Sequence, residues 1–399
     1  MKPRGSLIQL GRAGLRIAAV NVLKRLYRAD SLAAAALVRR NWIPGPLESD
    51  SERARLDSLR GPPPGLECPD YLAGVEIAAG IPFVYESLDA PHLERLRQAF
   101  DLAGVIRGPG GEYQAMIRLA TWLGSRWDHG LDAVPGGSGA DLDAVETIRE
   151  GMRGKMYWCE IAAKVAVEAF TAMGWPARMA TASRDGFTWE HALVEAWCDE
   201  YSKWVAMDTD FNVCFEADGV PLSCFDLCHD GPELRSRGRL TARILGAAKP
   251  GLPLIDLLPY FAYVHIDLRS DWRTRRLRAG SPAGGDLATW WTARAEFGRL
   301  LTPKRRMDAR ARFDWPVNRA WTRLEKVRAD KGGFALTVAI HAYAPFATRL
   351  QFSLNGDEWR DVAGPMELLL TSGEHRLSTR VVSGSGWAGK AETLHLRLP

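Results

Sequence analysis

A chain of 399 residues with a formal charge of only +4 is long enough to bury two or three cores without disulfide support, and its basic excess is too mild to mark a nucleic-acid binder. No motif interleaving aromatic and basic residues for base or phosphate recognition is present, so no nucleic-acid partner is expected. Its six cysteines, Cys68, Cys159, Cys198, Cys214, Cys224 and Cys228, follow no regular framework and no secretory leader, which predicts reduced thiols in a cytoplasmic setting.

The basic residues collect at the start. Arg12, Arg16, Lys24, Arg25, Arg28, Arg39 and Arg40 interleave with Leu7, Ile8, Leu15, Ile17, Val20, Leu23 and Leu26, and no acidic residue precedes Asp30. The uncharged runs fall well short of the roughly 20 residues that cross a bilayer. Residues 1–60 therefore read as a basic amphipathic segment, packed on its own domain, partly disordered, or laid on an anionic membrane or a partner. Gly61-Pro62-Pro63-Pro64-Gly65 is a stiff linker, and a globular unit is expected over 66–238.

Helical patterns follow at 92–105, at 114–127, and at 141–150 with Asp141 as the cap. The next helix carries Ile161, Ala162, Val165, Ala166, Ala169, Phe170 and Met173 on one face and reads as buried. Gly174 stops it and Trp175-Pro176 forbids its continuation. Cys159 falls in its first turn, where unpaired backbone N–H groups and the positive end of the dipole favour a thiolate.

Two alternating runs come next, His191 to Trp197 and Lys203 to Asp208, with Cys198-Asp199-Glu200-Tyr201 as the turn of a hairpin. Centring that turn on Asp199 and Glu200 sets Trp204 opposite Glu195 and Asp208 opposite His191. Directly opposed Cβ atoms lie about 4.5–5.5 Å apart, close enough for an Asp208 carboxylate to accept from one imidazole nitrogen while the other faces a thiol. Cys159 would then be the nucleophile, His191 its base and later the acid for the leaving group, and Asp208 the group that fixes the tautomer. Asp210 is a second carboxylate able to replace or support Asp208, although the register favours Asp208. His129 reads as a polar loop residue. Cys214, Cys224, Cys228 and His229 lack a close cysteine pair and a second histidine, so no metal and no cofactor are predicted.

From 239 to 312 the pattern weakens. Leu252 to Leu258 and Tyr260 to Val264 are apolar, while Arg273, Arg275, Arg276, Arg278 and the run Gly280 to Gly285 look like exposed loop, which predicts a linking or wrapping segment with helices. Residues 313–399 change character, with short alternating strands punctuated by Asn355-Gly356, Ser372-Gly373 and Gly384-Ser385-Gly386. An antiparallel sandwich of immunoglobulin or fibronectin type III kind is the natural reading, serving as a structural partner or, through Trp359 and Trp387, as a binding surface.

Cys159 at a helix start, Gly174-Trp175-Pro176-Ala177-Arg178, His191-Ala192-Leu193-Val194-Glu195 and Trp204-Val205-Ala206-Met207-Asp208 together resemble the transglutaminase-like superfamily. The resemblance covers about 157–212. It implies an α+β fold, a cysteine-proteinase-type core of helices packed on an antiparallel sheet, joined here to the all-β C-terminal sandwich. It also implies a Cys159–His191–Asp208 triad and thiol-dependent acyl transfer or hydrolysis at an amide through a thioester, on a protein or peptide substrate. Members can stabilise the oxyanion with an upstream aromatic side chain beside the cysteine N–H, and Trp127 is the candidate for that role. Many members carry glycine two residues before the nucleophile, where this chain has Tyr157. Glu160 beside Cys159 would oppose a thiolate unless it pairs elsewhere. Those two residues sustain a second reading, a catalytically inactive binding or scaffold protein.

Overall fold

The computed structural model describes residues 83–130, 143–184, 190–247, 249, 254–274, 288–293, 305–307, 310–330 and 332–399. The basic segment 1–60, the Gly61–Gly65 linker and Cys68 lie outside the described residues.

Among the described residues, five α-helices come before the first strand: α1 (Pro91–Ala99), α2 (Leu102–Ile106), α3 (Glu112–Gly124), α4 (Ala144–Met152) and α5 (Cys159–Ala172). The single helix predicted over 92–105 is two, because Asp101 adopts a left-handed φ of 42° and turns its carboxylate onto the Gly104 N–H. Asp143 caps α4 in place of Asp141, accepting from the N–H groups of Val145 and Glu146. The third helix ends at Gly124, short of Trp127. A Cβ at Gly124 would strike the Asn212 side chain and the Thr209 carbonyl, so glycine lets α3 close on the loop after Asp208.

Helix α5 is apolar nearly all round, as a fully enclosed helix must be. Ile161, Ala162, Ala163, Val165, Ala166, Val167, Ala169 and Phe170 are all buried, and it packs on the sheet on one side and on α1 and α3 on the other. Each large side chain taken from water here contributes about 1.5–3 kcal/mol. Gly174, at φ +82°, ends the turn after the helix as predicted.

The strands β1 (Ala177–Ser183), β2 (His191–Cys198), β3 (Lys203–Asp208), β4 (Val213–Ala217), β5 (Val220–Pro221), β6 (Leu240–Ile244), β7 (Tyr263–Asp267), β8 (Ala288–Trp291) and β9 (Arg305–Arg306) form one sheet. Its order is β5-β4-β3-β2-β1-β7-β8-β9, with β6 also paired to β4. All pairs are antiparallel except β8–β9. The segment 239–312, expected to link or wrap, thus supplies strands to both halves of the sheet. Those strands are only two to five residues long, too short for alternation to declare itself.

The hairpin register differs from the one predicted. Trp204 pairs with Trp197, and Met207 with Val194, because the turn runs from Asp199 to Ser202, with Ser202 at φ 51°. The slip moves each partner by two positions, an even number, so every side chain keeps its face. Asp208 is diagonal to His191 instead of opposite it, and the pair survives.

Arg178 and Glu195 are cross-strand partners on β1 and β2, each fully enclosed, with Arg178 Nε and Nη2 donating to Glu195 Oε2 at 2.8 and 2.7 Å. The guanidinium also donates to the Phe313 carbonyl at 2.9 Å and lies over the rings of Trp204 and Trp315, at 4.0 and 4.3 Å. Beyond this junction, β10 (Arg319–Asp330), β11 (Gly333–Tyr343), β12 (Ala347–Leu354), β13 (Arg360–Val362), β14 (Met366–Leu370), β15 (Gly373–Ser383) and β16 (Glu392–Leu398) form two sheets, β10-β11-β14 and β13-β12-β15-β16. They enclose Leu324, Leu336, Val338, Phe352, Leu377 and Leu396. The sandwich docks on the core through Asn318 Nδ2, which donates to Asp199 at 2.9 Å, and through a backbone approach of Gly384 to Gly174 that leaves no room for a Cβ. Among the described residues, no helix is long and apolar enough to cross a membrane.

Arg178→Ala should lower unfolding free energy in urea by about 3–5 kcal/mol, the cost of stranding a buried charge. Arg178→Lys, which keeps the charge without the planar fork, should recover only part. A loss below about 1 kcal/mol, the level of an exposed ion pair, would contradict the role given to this pair.

Candidate active site

Cys159 is the first residue of α5, preceded by Trp158 in extended conformation with no side-chain cap. The first N–H groups of a helix lack the usual intrahelical acceptor, and Cys159, half-buried, stands at that end. His191 opens β2 and is 2% exposed, and Asp208 closes β3 at 3%. His191 Nε2 lies 2.5 Å from Asp208 Oδ2, which leaves Nδ1 for the sulfur. One coordinating atom from each of Cys159, His191 and Asp210 lies within 4.8 Å of the other two.

The charges favour an ionised imidazole. Burial opposes charging His191, but the Asp208 carboxylate, and after it Cys159, outweigh burial and hold the ring's pKa well above the usual value. Asp208 is itself oriented, its Oδ1 accepting from the N–H groups of Asp210 and Phe211 at 3.0 and 2.9 Å. That bend lays the Phe211 ring parallel to His191, with centroids 4.7 Å apart, which fixes the plane of the imidazole.

The bend also buries Asp210, at 1% exposure, and gives it a partner that the sequence concealed. His129 Nδ1 lies 2.7 Å from Asp210 Oδ2, so His129 is no mere loop residue. This hydrogen bond raises the His129 pKa, while burial, first, and the nearby Asp208 charge raise that of Asp210. Asp210 Oδ1 is buried without a hydrogen-bond partner among the described residues. His129 is set by backbone pairing, with Gly130 N–H donating to the Tyr157 carbonyl at 2.9 Å and Tyr157 N–H to the Asp128 carbonyl at 3.1 Å. No local spacing in the sequence signals that pairing.

The two residues that seemed to oppose a working thiol are accounted for. Glu160 Oε1 pairs with Lys164 Nζ at 2.5 Å, one turn along the helix, away from Cys159. Tyr157 is enclosed, its hydroxyl donating to Glu150 at 2.7 Å, and it anchors the His129 loop. Trp127 sits in the core, edge-on to Tyr157 with centroids 6.1 Å apart, and its Nε1 is buried without an acceptor among the described residues.

The other described cysteines likewise form no disulfide among the described residues, but they are buried. Burial pushes the Cys214 thiol up to about 11 and raises those of Cys198 and Cys224 further. Cys214 bonds Tyr113 and Cys228 the Ala262 carbonyl. Among the described residues, Cys214, Cys224, Cys228 and His229 form no ligand cluster, and Cys159, His191 and Asp210 do.

Residues 101–209 match the family model of the transglutaminase-like superfamily, a span that takes in Cys159, His191 and Asp208. This segment is a transglutaminase-like core. Its helices packed on antiparallel strands are the architecture the superfamily implies, and strand-only sheets follow in the C-terminal part. No curated protein matches the chain. The Cys-His-Asp arrangement of the transglutaminase-like core is compatible with thiol-dependent acyl transfer.

Because the His191 charge persists above an imidazole's ordinary value of about 6.5, Cys159 should be the first thiol alkylated by iodoacetamide at pH 7, ahead of Cys198, Cys214 and Cys224 in peptide mapping. In His191→Ala, alkylation of Cys159 should slow at pH 7 and recover only at higher pH. An unchanged pH profile in that variant would show that His191 does not activate the thiol.

Proposed function

We propose that the protein is a thiol-dependent enzyme acting on an amide carbonyl of a protein or peptide, with Cys159 as nucleophile, His191 as acid and base, and Asp208 as the group that orients and charges His191. The observation that carries this reading is the buried His191–Asp208 hydrogen bond beside a helix-start thiol. It leaves one imidazole nitrogen, on a ring with a raised pKa, facing the sulfur.

In the proposed reaction the Cys159 thiolate attacks the carbonyl carbon and a tetrahedral oxyanion forms. The Cys159 backbone N–H and Trp127 Nε1 are the donors proposed for that oxyanion. The C–N bond then breaks, the proton on His191 passes to the leaving nitrogen, and ammonia or an amine departs from a thioester. Water or a second amine next adds to the thioester carbonyl, giving its proton to His191 as the C–S bond breaks. The product is an acid or a new amide, and the thiolate–imidazolium pair is restored. Phe211, stacked on His191, keeps the ring in one plane through both transfers, and Asp208 keeps its tautomer.

The test is a peptide library bearing glutamine and other amide groups, followed by mass spectrometry for released ammonia or amine and, after acid quench, for an acyl adduct on Cys159. Cys159→Ala should abolish both. Asp208→Asn should lower kcat on the order of 10²–10⁴-fold, the range typical of lost acid–base catalysis. Turnover that survives Cys159→Ala, or an adduct on another thiol, would overturn the proposal.

A further inference from the structure

We propose that Cys159, His191 and Asp210 form a binding site for a thiophilic divalent cation, zinc above all, and that the loaded protein has its thiol masked. The set is a thiolate, an imidazole and a carboxylate, the mixed sulfur, nitrogen and oxygen donors that zinc accepts when three protein ligands leave a fourth position open. The three donor atoms already lie within 4.8 Å of one another. A tetrahedral zinc with bonds of about 2.0–2.3 Å needs donors roughly 3.3–3.8 Å apart, so the three donors would draw together on binding.

The independent observation is Asp210 itself. Its side chain is almost fully buried, at 1% exposure. One oxygen is held by His129 Nδ1 at 2.7 Å, and the other is buried with no hydrogen-bond partner among the described residues. An unsatisfied carboxylate oxygen is costly to bury, and a cation between it, the thiol and His191 would satisfy it. The bond to His129 accounts for only half of the carboxylate.

The surrounding shell also fits. A metal-bound histidine commonly gives its second nitrogen to a carboxylate, and a metal-bound carboxylate is commonly hydrogen-bonded in turn. His191 keeps Nδ1 for the metal while Nε2 stays on Asp208 at 2.5 Å. Asp210 keeps Oδ1 for it while Oδ2 stays on His129. The dication would meet the thiolate and Asp210 beside two basic groups that already face this carboxylate, His129 and the buried Lys249, while Asp208 remains bonded to His191. Ligation by the deprotonated thiol would release a proton to solvent. With sulfur and Nδ1 both ligated, neither can attack or transfer a proton, so the metal competes with the proposed reaction at the same atoms. Metal binding can be read without any turnover, so failure of one proposal is distinguishable from failure of the other.

The experiment is a titration of the full chain with cobalt(II) as the probe, followed by displacement with zinc. The expected result is one ion per chain, with a sulfur-to-cobalt charge-transfer band and tetrahedral ligand-field absorption. Both should be absent in Cys159→Ala and the tetrahedral absorption lost in Asp210→Asn, with circular dichroism confirming that each variant is folded. Asp208→Asn should weaken binding on the order of 10–100-fold, as loss of an outer-shell partner does. If a variant fails to fold, wild-type protein decides the matter: zinc should protect Cys159, and not Cys198 or Cys214, from iodoacetamide in peptide mapping. No cobalt band, a band that survives Cys159→Ala, or equal labelling of Cys159 with and without zinc would overturn the proposal. An intact band in a protein without amide turnover would instead overturn the enzymatic reading alone.

Discussion

One buried charge pair ties the structure together. Arg178 has no solvent exposure, and its guanidinium is shared between Glu195 on the next strand, the Phe313 carbonyl, the Asp314 carboxylate, and the faces of Trp204 and Trp315. The second oxygen of Glu195 accepts from the Cys224 N–H at 2.6 Å, at the start of the short helix Cys224–His229. A single cation thus joins β1, β2, β3, that helix and the approach to the sandwich. A guanidinium that loses any of these partners in a dry interior becomes a large penalty, so the elements around it must assemble together. Burial pushes Asp314 up to about 6 despite Arg178, a sign of how little water reaches this junction.

The site is a consequence of that rigidity. With β1, β2 and β3 in fixed register, the head of β2 and the end of β3 lie at the same end of two adjacent strands, and α5 brings its N-terminus over them. Small residues along α5, among them Ala162, Ala163, Ala166 and Ala169, allow the helix to approach closely. Asp208 then does two things with its two oxygens. Oδ2 charges and orients His191, while Oδ1 gathers the N–H groups of Asp210 and Phe211. The same carboxylate that tunes the imidazole therefore also shapes the loop carrying the stacking ring and the second acid.

Much of this was legible in the sequence, for a definite reason. Cys159, His191 and Asp208 sit at the ends of long, strongly patterned elements, and element ends are where such patterns locate residues best. Arg178, Glu195 and Trp204, which helped carry the family resemblance, are residues of the buried hub, so part of that resemblance records the fold and not the chemistry. The hairpin register was misplaced because nothing in Cys198-Asp199-Glu200-Tyr201-Ser202 marks which residue takes the left-handed turn. The triad pairing survived because the error was even. His129 could not have been found, since its partner Asp210 is far along the chain and the two are brought together by backbone pairing to Tyr157. The strands of 239–312 were hidden by brevity, since a strand of two to five residues inside a larger sheet is dictated by its neighbours and not by its own alternation.

The central claim is that Asp208 and Cys159 together keep a buried His191 charged at neutral pH. Nitrogen-detected NMR of histidine-labelled protein measures that state at the ring itself, across a pH titration. The account predicts that the His191 resonance is that of an imidazolium at pH 7 and loses its proton only well above the ordinary value of about 6.5, with Asp208→Asn moving the transition down. A His191 ring that is neutral at pH 7, or whose titration is indifferent to both Asp208→Asn and Cys159→Ala, would contradict it.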